Sequence, residues 1–492
     1  MTDQSDTYAL LQGLAGRPPI ETHISAIFLG ADTVWKLRRA VTLPFLDFST
    51  LAERERTARR ELALNAAAAP GMYRDVVPVC RQLDGSVVLD GVALGSRGDI
   101  EDWVLRMARV PEDDFLDAMA ARGAIGPGLL VALGDTVAAY HAALPALQTD
   151  PIAAFTHLID GNIASAHSAG LPGPAIDTWA AAIRQELHDR AAWLIARRDA
   201  GFVRRIHGDL HLGNLCIWHG KPTPFDALEF DEALAEFDVG HDLAFLLMDL
   251  EARMDRAAAN LVLNRYLARS LDWGLVAGLK LFISLRAMVR AHVEARSGHQ
   301  GRSADYLARA LAVLEPARSV VLAIGGLPGT GKSSLARALA PQLGPAPGAV
   351  VVRSDEIRKQ LQGVAPEQRL PPQAYTAQAS AAVFTELTKA VRIIAASGQA
   401  VIADATFMAD AHRAMVATAA GAHFLGVWLH APIPVLESRV AARTGDASDA
   451  DLAVLRSAAS HDPGAGNWLA VDATDADAAH HAVAAALHAL MC

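Results

Sequence analysis

The spacing of apolar positions changes along the chain and marks out its parts. Near the start, short apolar runs are separated by polar turns. Ile24–Leu29 and Val34–Leu37 read as strands joined by the turn Gly30-Ala31-Asp32, and Leu51–Ala69, rich in Ala, Arg, Glu and Leu, reads as one helix. Val76–Val79, Val87–Leu89 and Trp103–Val110 read as further strands, the last ended by Pro111, which cannot donate to a ladder. Helical spacing follows, for example over Leu129–Ala143 and Pro174–Arg198. A strand-and-loop island, Arg204–Phe230, interrupts it before helices resume to Leu314. Glu315–Arg318 reads as a linker. From Ser319 short apolar strands alternate with Ala-rich helices, the pattern of a parallel α/β domain. The expected organisation is a first domain over residues 1–314, with a small lobe over about 1–110 and a larger one over about 111–314, and a second over 319–492.

Length agrees with this division, because 492 residues exceed the roughly 250–300 that one core sustains. With 52% hydrophobic and 20% charged residues the chain is globular. A net charge of −10 disfavours nucleic acid as a partner. No basic segment followed by an apolar run opens the chain, and no apolar run approaches the roughly 20 residues that span a bilayer. Cys80, Cys216 and Cys492 are scattered and odd in number, which points to a reducing compartment and a cytoplasmic protein.

The most specific stretch follows the strand Val320–Ile324. Gly326-Leu327-Pro328-Gly329-Thr330-Gly331-Lys332-Ser333 matches G-x-x-x-x-G-K-[ST] in full, and Ser334–Leu339 after it reads as a helix. Glycines let backbone N–H groups curl around phosphate oxygens, and the helix N-terminus adds a positive dipole end. Lys332 suits β- and γ-phosphate charge and Ser333 suits Mg²⁺. The expected ATP-binding set is Gly326, Gly329, Thr330, Gly331, Lys332, Ser333 and Ser334.

Five further residues follow this loop in sequence. Val350–Val352 reads as a strand leading into Asp355, a candidate base for a hydroxyl acceptor, with Arg358 three residues on. The alternative for Asp355 is a helix N-cap. Asp404 follows the strand Ala400–Ala403 and is a candidate Mg²⁺ partner, or else a turn residue. Arg439 and Arg443 lie four apart before the polar stretch Thr444–Asp451, which suits a lid that clamps the transferring phosphoryl group, or else a solvated helix face. This set resembles the small P-loop kinases, among them gluconate kinase, chloramphenicol phosphotransferase, zeta-toxin kinases and polynucleotide 5′-kinases, over about Ser319–Leu490. The resemblance implies γ-phosphate transfer from ATP to a hydroxyl, with Asp355 as base, Arg358 on the acceptor side and Arg443 in the lid.

A second constellation lies upstream. Ile206-His207-Gly208-Asp209-Leu210-His211-Leu212-Gly213-Asn214 matches H-x-D-x-x-x-x-N: Asp209 suits an acceptor proton and Asn214 a metal ion. Asp226 follows at a spacing that a short hairpin closes, as a second metal ligand. Lys36, on its strand, suits the α- and β-phosphates. Arg38 shares that strand face, and either cation suits the role. Glu61 is the natural partner of Lys36, or else a surface charge. These residues resemble the aminoglycoside phosphotransferases, a branch of the protein-kinase-like fold. The runs His23-Ile24-Ser25, Phe45–Leu51, Phe225–Phe230 and Asp242–Leu246 resemble the bacterial bifunctional aminoglycoside phosphotransferase/ATP-binding fusion proteins. The sequence departs from that pattern at Arg38 and Arg39, at Leu212, and in lacking a full glycine-rich loop near Gly30.

The resulting expectation is two ATP- and Mg²⁺-dependent phosphotransferase domains: a bilobal protein-kinase-like α+β domain, then an α/β P-loop kinase domain. Both would act on small hydroxylated molecules. Two rivals are a P-loop kinase carrying a regulatory pseudokinase and a toxin-like or RNA 5′-end kinase. Keeping Asp209 and Asp226 together favours the first reading, and the acidic balance speaks against the last.

Overall fold

The computed structural model describes residues 4–43, 46–90, 99–316, 319–421, 423–442 and 448–491. The chain packs as two compact units. One comprises Met1–Ala132, Ala143–Ala154 and Trp193–Asp242; the other comprises Leu133–Ala142, Phe155–Ala192 and Leu243–Cys492.

In the first unit, helix α1 (Ser5–Ala15) precedes strands β1 (Ile20–Glu21), β2 (Ser25–Leu29) and β3 (Thr33–Arg38). A hairpin, β4 (Thr42–Leu43) and β5 (Leu46–Asp47), leads to helix α2 (Leu51–Asn65), then β6 (Tyr73–Arg81), β7 (Val87–Leu89) and β8 (Asp99–Ala108). The sheet runs β1-β2-β3-β8-β6-β7 and every pairing is antiparallel. One apolar cluster, with Leu11, Phe28, Leu37, Val79 and Val104, draws α1 onto the sheet, a helix the apolar spacing did not suggest. A second, with Ala58, Met72, Leu105 and Cys216, ties α2 to it.

Helix α2 is capped by Thr50, whose side chain accepts from Glu53 N–H. Its buried face is largely polar: Arg54, Thr57, Glu61 and Asn65 recur at helical spacing. The helix stops at Asn65, four residues before the expected Ala69. The Asn65 side chain there turns back to donate to Glu61 O at 2.9 Å, one turn earlier, and accepts a long-range bond from Ala227 N–H at 3.0 Å.

Helices α3 (Leu116–Ala121), α4 (Pro127–Ala143), α5 (Pro151–Ser168) and α6 (Gly173–Asp199) follow. The expected island then forms two short ladders. β9 (Val203–Arg205) pairs with β12 (Glu236–Asp238), and β10 (Leu215–Trp218) pairs with β11 (Lys221–Pro224).

Helices α7 (Val239–Arg253), α8 (Arg256–Ser270), α9 (Leu279–Arg296) and α10 (Gln300–Ala312) come next. The second unit then builds a parallel sheet from β13 (Val321–Gly326), β14 (Val350–Arg353), β15 (Val401–Asp404), β16 (Phe424–His430) and β17 (Leu469–Asp472), in the order β14-β15-β13-β16-β17. Its helices are α11 (Lys332–Leu339), α12 (Ser354–Leu361), α13 (Ala377–Ala396), α14 (Asp410–Ala420), α15 (Ile433–Ala442), α16 (Leu452–Ala459) and α17 (Ala476–Met491). Strand residues such as Leu322, Ile324, Val351, Ile402 and Val427 pack with Leu335, Leu339, Val483 and Leu487 into one core. Alternation of strand and helix makes this a parallel α/β fold, and β13, β14 and β15 are buried on both faces. Helices α8 to α10 belong to the same compact unit as this sheet, although Glu315–Arg318 separates them from it along the chain.

Candidate phosphotransfer sites

In the second unit, β13 ends in Gly326 and α11 begins at Lys332, so the glycine-rich stretch lies between strand end and helix start. Gly329 has φ +87°, and a Cβ there would stand 2.8 Å from Leu436 O; only glycine fits. Thr330 is buried and donates to Leu327 O at 2.8 Å, so its hydroxyl staples the loop internally. Lys332 Nζ arches back over the loop and donates to the carbonyls of Gly326 and Leu327, each at 3.0 Å. Ser334 is exposed beside it.

The neighbouring strands deliver the expected acids. Asp404 is the last residue of β15, and its Oδ2 accepts from Ser333 Oγ at 2.5 Å. It is therefore no mere turn residue. Both donors are oxygens, one hydroxyl and one carboxylate, a set that suits a hard divalent cation. Sequence reasoning passed over Arg353, the end of β14. Its guanidinium donates to Asp404 Oδ2 at 3.2 Å, to Ser333 Oγ at 3.0 Å and to Glu356 Oε1 at 3.0 Å. Only the strand register reveals this, since β14 and β15 pair Arg353 with Asp404.

Asp355 occupies the first turn of α12, whose N-cap is Arg353, so Asp355 is not the N-cap. Burial pushes its carboxyl above the usual range and Asp404 adds to this, while Arg353, Ser448 and Lys332 pull it down. Arg358 is buried; it donates to Ala374 O at 2.7 Å, and its guanidinium lies 4.8 Å from the Tyr375 ring centre. Asp355, Arg358, Tyr375, Asp404 and the glycine-rich loop all line one cavity of about 1450 Å³.

Of the two arginines expected in a lid, Arg439 lines the same cavity. Arg439 binds the carbonyls of Ala473 and Thr474 at 2.9 and 2.8 Å, so this guanidinium fastens α15 to the loop after β17 rather than forming part of a solvated helix face. Arg443 lies outside the described residues. Just beyond it, Asp449 is a residue that motif reading missed. It accepts from Lys359 Nζ at 2.8 Å, from Tyr375 Oη at 2.5 Å and from Leu370 N–H at 2.9 Å. Burial opposes its charge, but these donors outweigh burial and hold its carboxyl below the usual range.

In the first unit the residues expected together do meet. Lys36 Nζ donates to Glu61 Oε1 at 2.8 Å and to Asp226 Oδ1 at 2.6 Å. Arg38 also binds Glu61, and it binds Ser25 Oγ at 2.8 Å and Glu229 as well, a carboxylate that sequence reasoning did not single out. Both cations thus use Glu61, which is fully buried and not a surface charge. Burial pushes the Glu61 carboxyl up to about 7, against the pull of Lys36 and Arg38. For Asp226 burial acts in the same direction, but Lys36 outweighs it and holds the carboxyl at about 2. Burial likewise opposes the Lys36 charge, and Asp226 and Glu61 more than offset it, so the ammonium titrates well above its usual range.

The loop carrying Asp209 is fixed from outside its own stretch. Asp242 accepts from the N–H groups of His207 and Gly208 at 2.7 and 3.0 Å, and His207 Nε2 lies 2.9 Å from Phe225 O. Asn214 Nδ2 donates to Asp209 Oδ2 at 3.0 Å, and Phe225 N–H donates to Asn214 O at 3.1 Å, so the hairpin sets Asp226 next to this loop. Asp226 itself has φ +59°, a left-handed backbone held by its N–H bond to Tyr73 Oη at 2.9 Å. Between β2 and β3 there is only the tight turn from Gly30 to Asp32, closed by Gly30 N–H to Thr33 O at 2.8 Å. Among the described residues no group of three or more His, Cys, Asp or Glu side chains forms a metal cluster, and no helix is long and apolar enough to cross a membrane.

Three comparisons with known proteins returned matches. The AAA_33 family model, an AAA domain, matches residues 321–461. Uncharacterized proteins of Mycobacterium tuberculosis and Mycobacterium bovis are 29% identical over 450 residues, which is 87% of this chain and 87% of theirs. Among solved structures, a gluconokinase from Sinorhizobium meliloti matches 36% of this chain and 93% of its own, at 22% identity and a TM-score of 0.26. A choline/ethanolamine kinase family protein from Mesorhizobium loti matches 63% of this chain and 99% of its own, at 13% identity and a TM-score of 0.36. The GDP complex of an aminoglycoside 2′-phosphotransferase matches 60% and 90%, at 14% identity and a TM-score of 0.34. What the topology itself shows is an antiparallel sheet with helix α2 packed on it in the N-terminal part, and in the C-terminal part a parallel α/β sheet within the stretch that the AAA domain model matches.

Proposed function

We propose that the chain is an ATP-dependent phosphotransferase acting on hydroxyl groups of small molecules, with its principal site in the P-loop domain. The observation that carries this is that the loop, Asp355 and Arg358 all line one cavity. In the reaction, an acceptor hydroxyl oxygen bonds to the γ-phosphorus, the bond to the β-phosphate bridging oxygen breaks, and ADP leaves. Asp355 takes the hydroxyl proton, a role its raised affinity for protons suits. Backbone N–H groups of Gly329 to Ser333 and the Lys332 ammonium stabilise phosphate charge, and Arg358 orients the acceptor. Ser333 and Asp404 would hold Mg²⁺, which supplies neutralisation of phosphate charge.

The first unit supports a second centre of the same kind, with Lys36 on phosphates, Asp209 as base, and Asn214 and Asp226 as metal ligands. One observation favours a regulatory role there instead: Lys36 already pairs with Asp226, and Asn214 with Asp209. The kinship of the whole chain with bifunctional aminoglycoside phosphotransferase/ATP-binding proteins is part of the same proposal. The test is a screen of hydroxylated metabolites with the purified chain and MgATP, followed by ADP release and mass gain on the acceptor. Acceptor-dependent ADP release is expected; none across a broad screen sinks the proposal.

A further inference from the structure

We infer that helix α8, which precedes the P-loop domain in the chain, positions the metal-binding edge of the P-loop site through Asn260 and Asn264. The inference rests on the reading of that site given above. Strand β14 is an edge strand, and an unpaired edge needs partners for its outward groups. Val350 N–H points inward to Ala400 O, at 2.9 Å, so Ala349 O and Val351 N–H point outward. Both outward groups are satisfied by α8. Asn264 Oδ1 accepts from Val351 N–H at 2.6 Å, and Asn260 and Asn264 donate to Ala349 O at 3.0 and 3.2 Å. Asn264 Nδ2 also donates to Asn260 Oδ1 at 3.0 Å, which orients the pair.

The approach is close. Gly348 has φ +119°, and a Cβ there would stand 2.8 Å from Asn260 Nδ2 and 2.4 Å from Ala340 O. Asn260 is 4% exposed; an apolar residue would be the ordinary choice at such a place, and its amide instead serves one strand.

Helix α8 also grips the element after β14. Gln360, on α12, donates to the carbonyls of Ala268 and Arg269 at 2.5 and 2.9 Å, carbonyls that the last turn of α8 leaves without helical partners. Helix α8 is itself anchored: Arg265 and Arg269 both bind Asp135, at 2.6 to 3.0 Å, and Arg265 binds Glu367 at 2.9 Å. The segment from Arg353 to Asp355 is thus held from both sides, and Arg353 is the group that touches Ser333 and Asp404. Loosening α8 should disturb the oxygen pair that suits the metal. The glycine-rich loop is reached through Ser333, the residue that Arg353 binds, so ATP binding without metal should change less than MgATP binding.

The experiment uses the full chain with Asp226→Asn, which removes a metal carboxylate from the first site. Calorimetric titration with ATP is run with Mg²⁺ and with excess EDTA. Asn264→Ala and Gln360→Ala should each weaken MgATP binding about tenfold, near the loss of one buried hydrogen bond. Metal-free ATP binding should stay within about twofold. Asn260→Ala/Asn264→Ala should widen the gap. Unchanged MgATP affinity overturns the inference, and so does an equal loss with and without Mg²⁺, which marks α8 as general fold support. If the double variant does not fold, Gln360→Ala alone decides by the same comparison. A parent chain that binds no ATP in either buffer removes the P-loop reading and the inference with it. A parent that binds normally, with variants like it, removes the inference alone.

Discussion

Ser333 and Asp404 stand 71 positions apart in sequence, yet Ser333 Oγ donates to Asp404 Oδ2 at 2.5 Å, with Arg353 bound to both. The relationship follows from parallel pairing. Strands β13, β15 and β14 all point their C-terminal ends to one edge, where open α/β sheets bind ligands, so residues far apart in sequence converge there.

Lys332 Nζ donates to two loop carbonyls, those of Gly326 and Leu327. Lys332→Ala in the full chain should weaken MgATP binding at the P-loop site by about 10²-fold, in the range of a charge-assisted phosphate contact, while circular dichroism stays unchanged. Calorimetric titration in the Asp226→Asn background checks it, and parent-like affinity would remove the role given to Lys332.

Asp355→Asn is nearly isosteric and should spare nucleotide binding while lowering turnover by about 10²-fold or more. The pH dependence has a definite sign. A base works deprotonated, so the rate falls as pH drops through its pKa. Burial raises that pKa, and the acid limb of kcat/KM should therefore lie above 3.8 and vanish in the variant. A variant with full turnover, or an unshifted acid limb, contradicts the assignment.

A chain carrying Lys332→Ala isolates the first unit. Residual phosphate transfer to some acceptor is expected, and adding Asp209→Asn should abolish it. No nucleotide binding or turnover in Lys332→Ala across a broad acceptor screen would favour a regulatory first domain.

Asp226 provides a stability test independent of any acceptor. Its folded carboxyl titrates at about 2, below the ordinary 3.8, because Lys36 outweighs the opposing burial. A lowered carboxylate pKa contributes stability that is present above 3.8 and lost as pH falls toward 2. The stability difference between parent and Asp226→Asn, followed by denaturant unfolding, should shrink across that window. A difference that stays constant there would mean that Lys36 does not hold the Asp226 charge.

The sequence by itself determined what lies in one continuous stretch. The loop from Gly326 to Ser333 and the stretch from His207 to Asn214 carry their chemistry locally, since fixed spacing sets which backbone and side-chain groups point together. Asp404 and Asp355 were legible because strand ends in a parallel sheet are marked by where apolar runs stop. The pairing of Lys36 with Glu61 followed from the strand and helix that carry them, whereas the bond from Lys36 to Asp226 emerged only in the structure. Tertiary structure alone decided the rest. Arg353 reached Ser333 and Asp404 through strand register, and Arg38 found Glu229 beside Glu61. Asp242 came to hold the Asp209 loop, Asp449 gathered Lys359 and Tyr375, and Arg439 turned to carbonyls. Asn260 and Asn264 found an exposed strand edge. Each is a bond between side chains and groups tens of residues away. Periodicity and propensity describe how a segment folds along itself, and they hold no record of which distant donor will meet which acceptor once the layers pack.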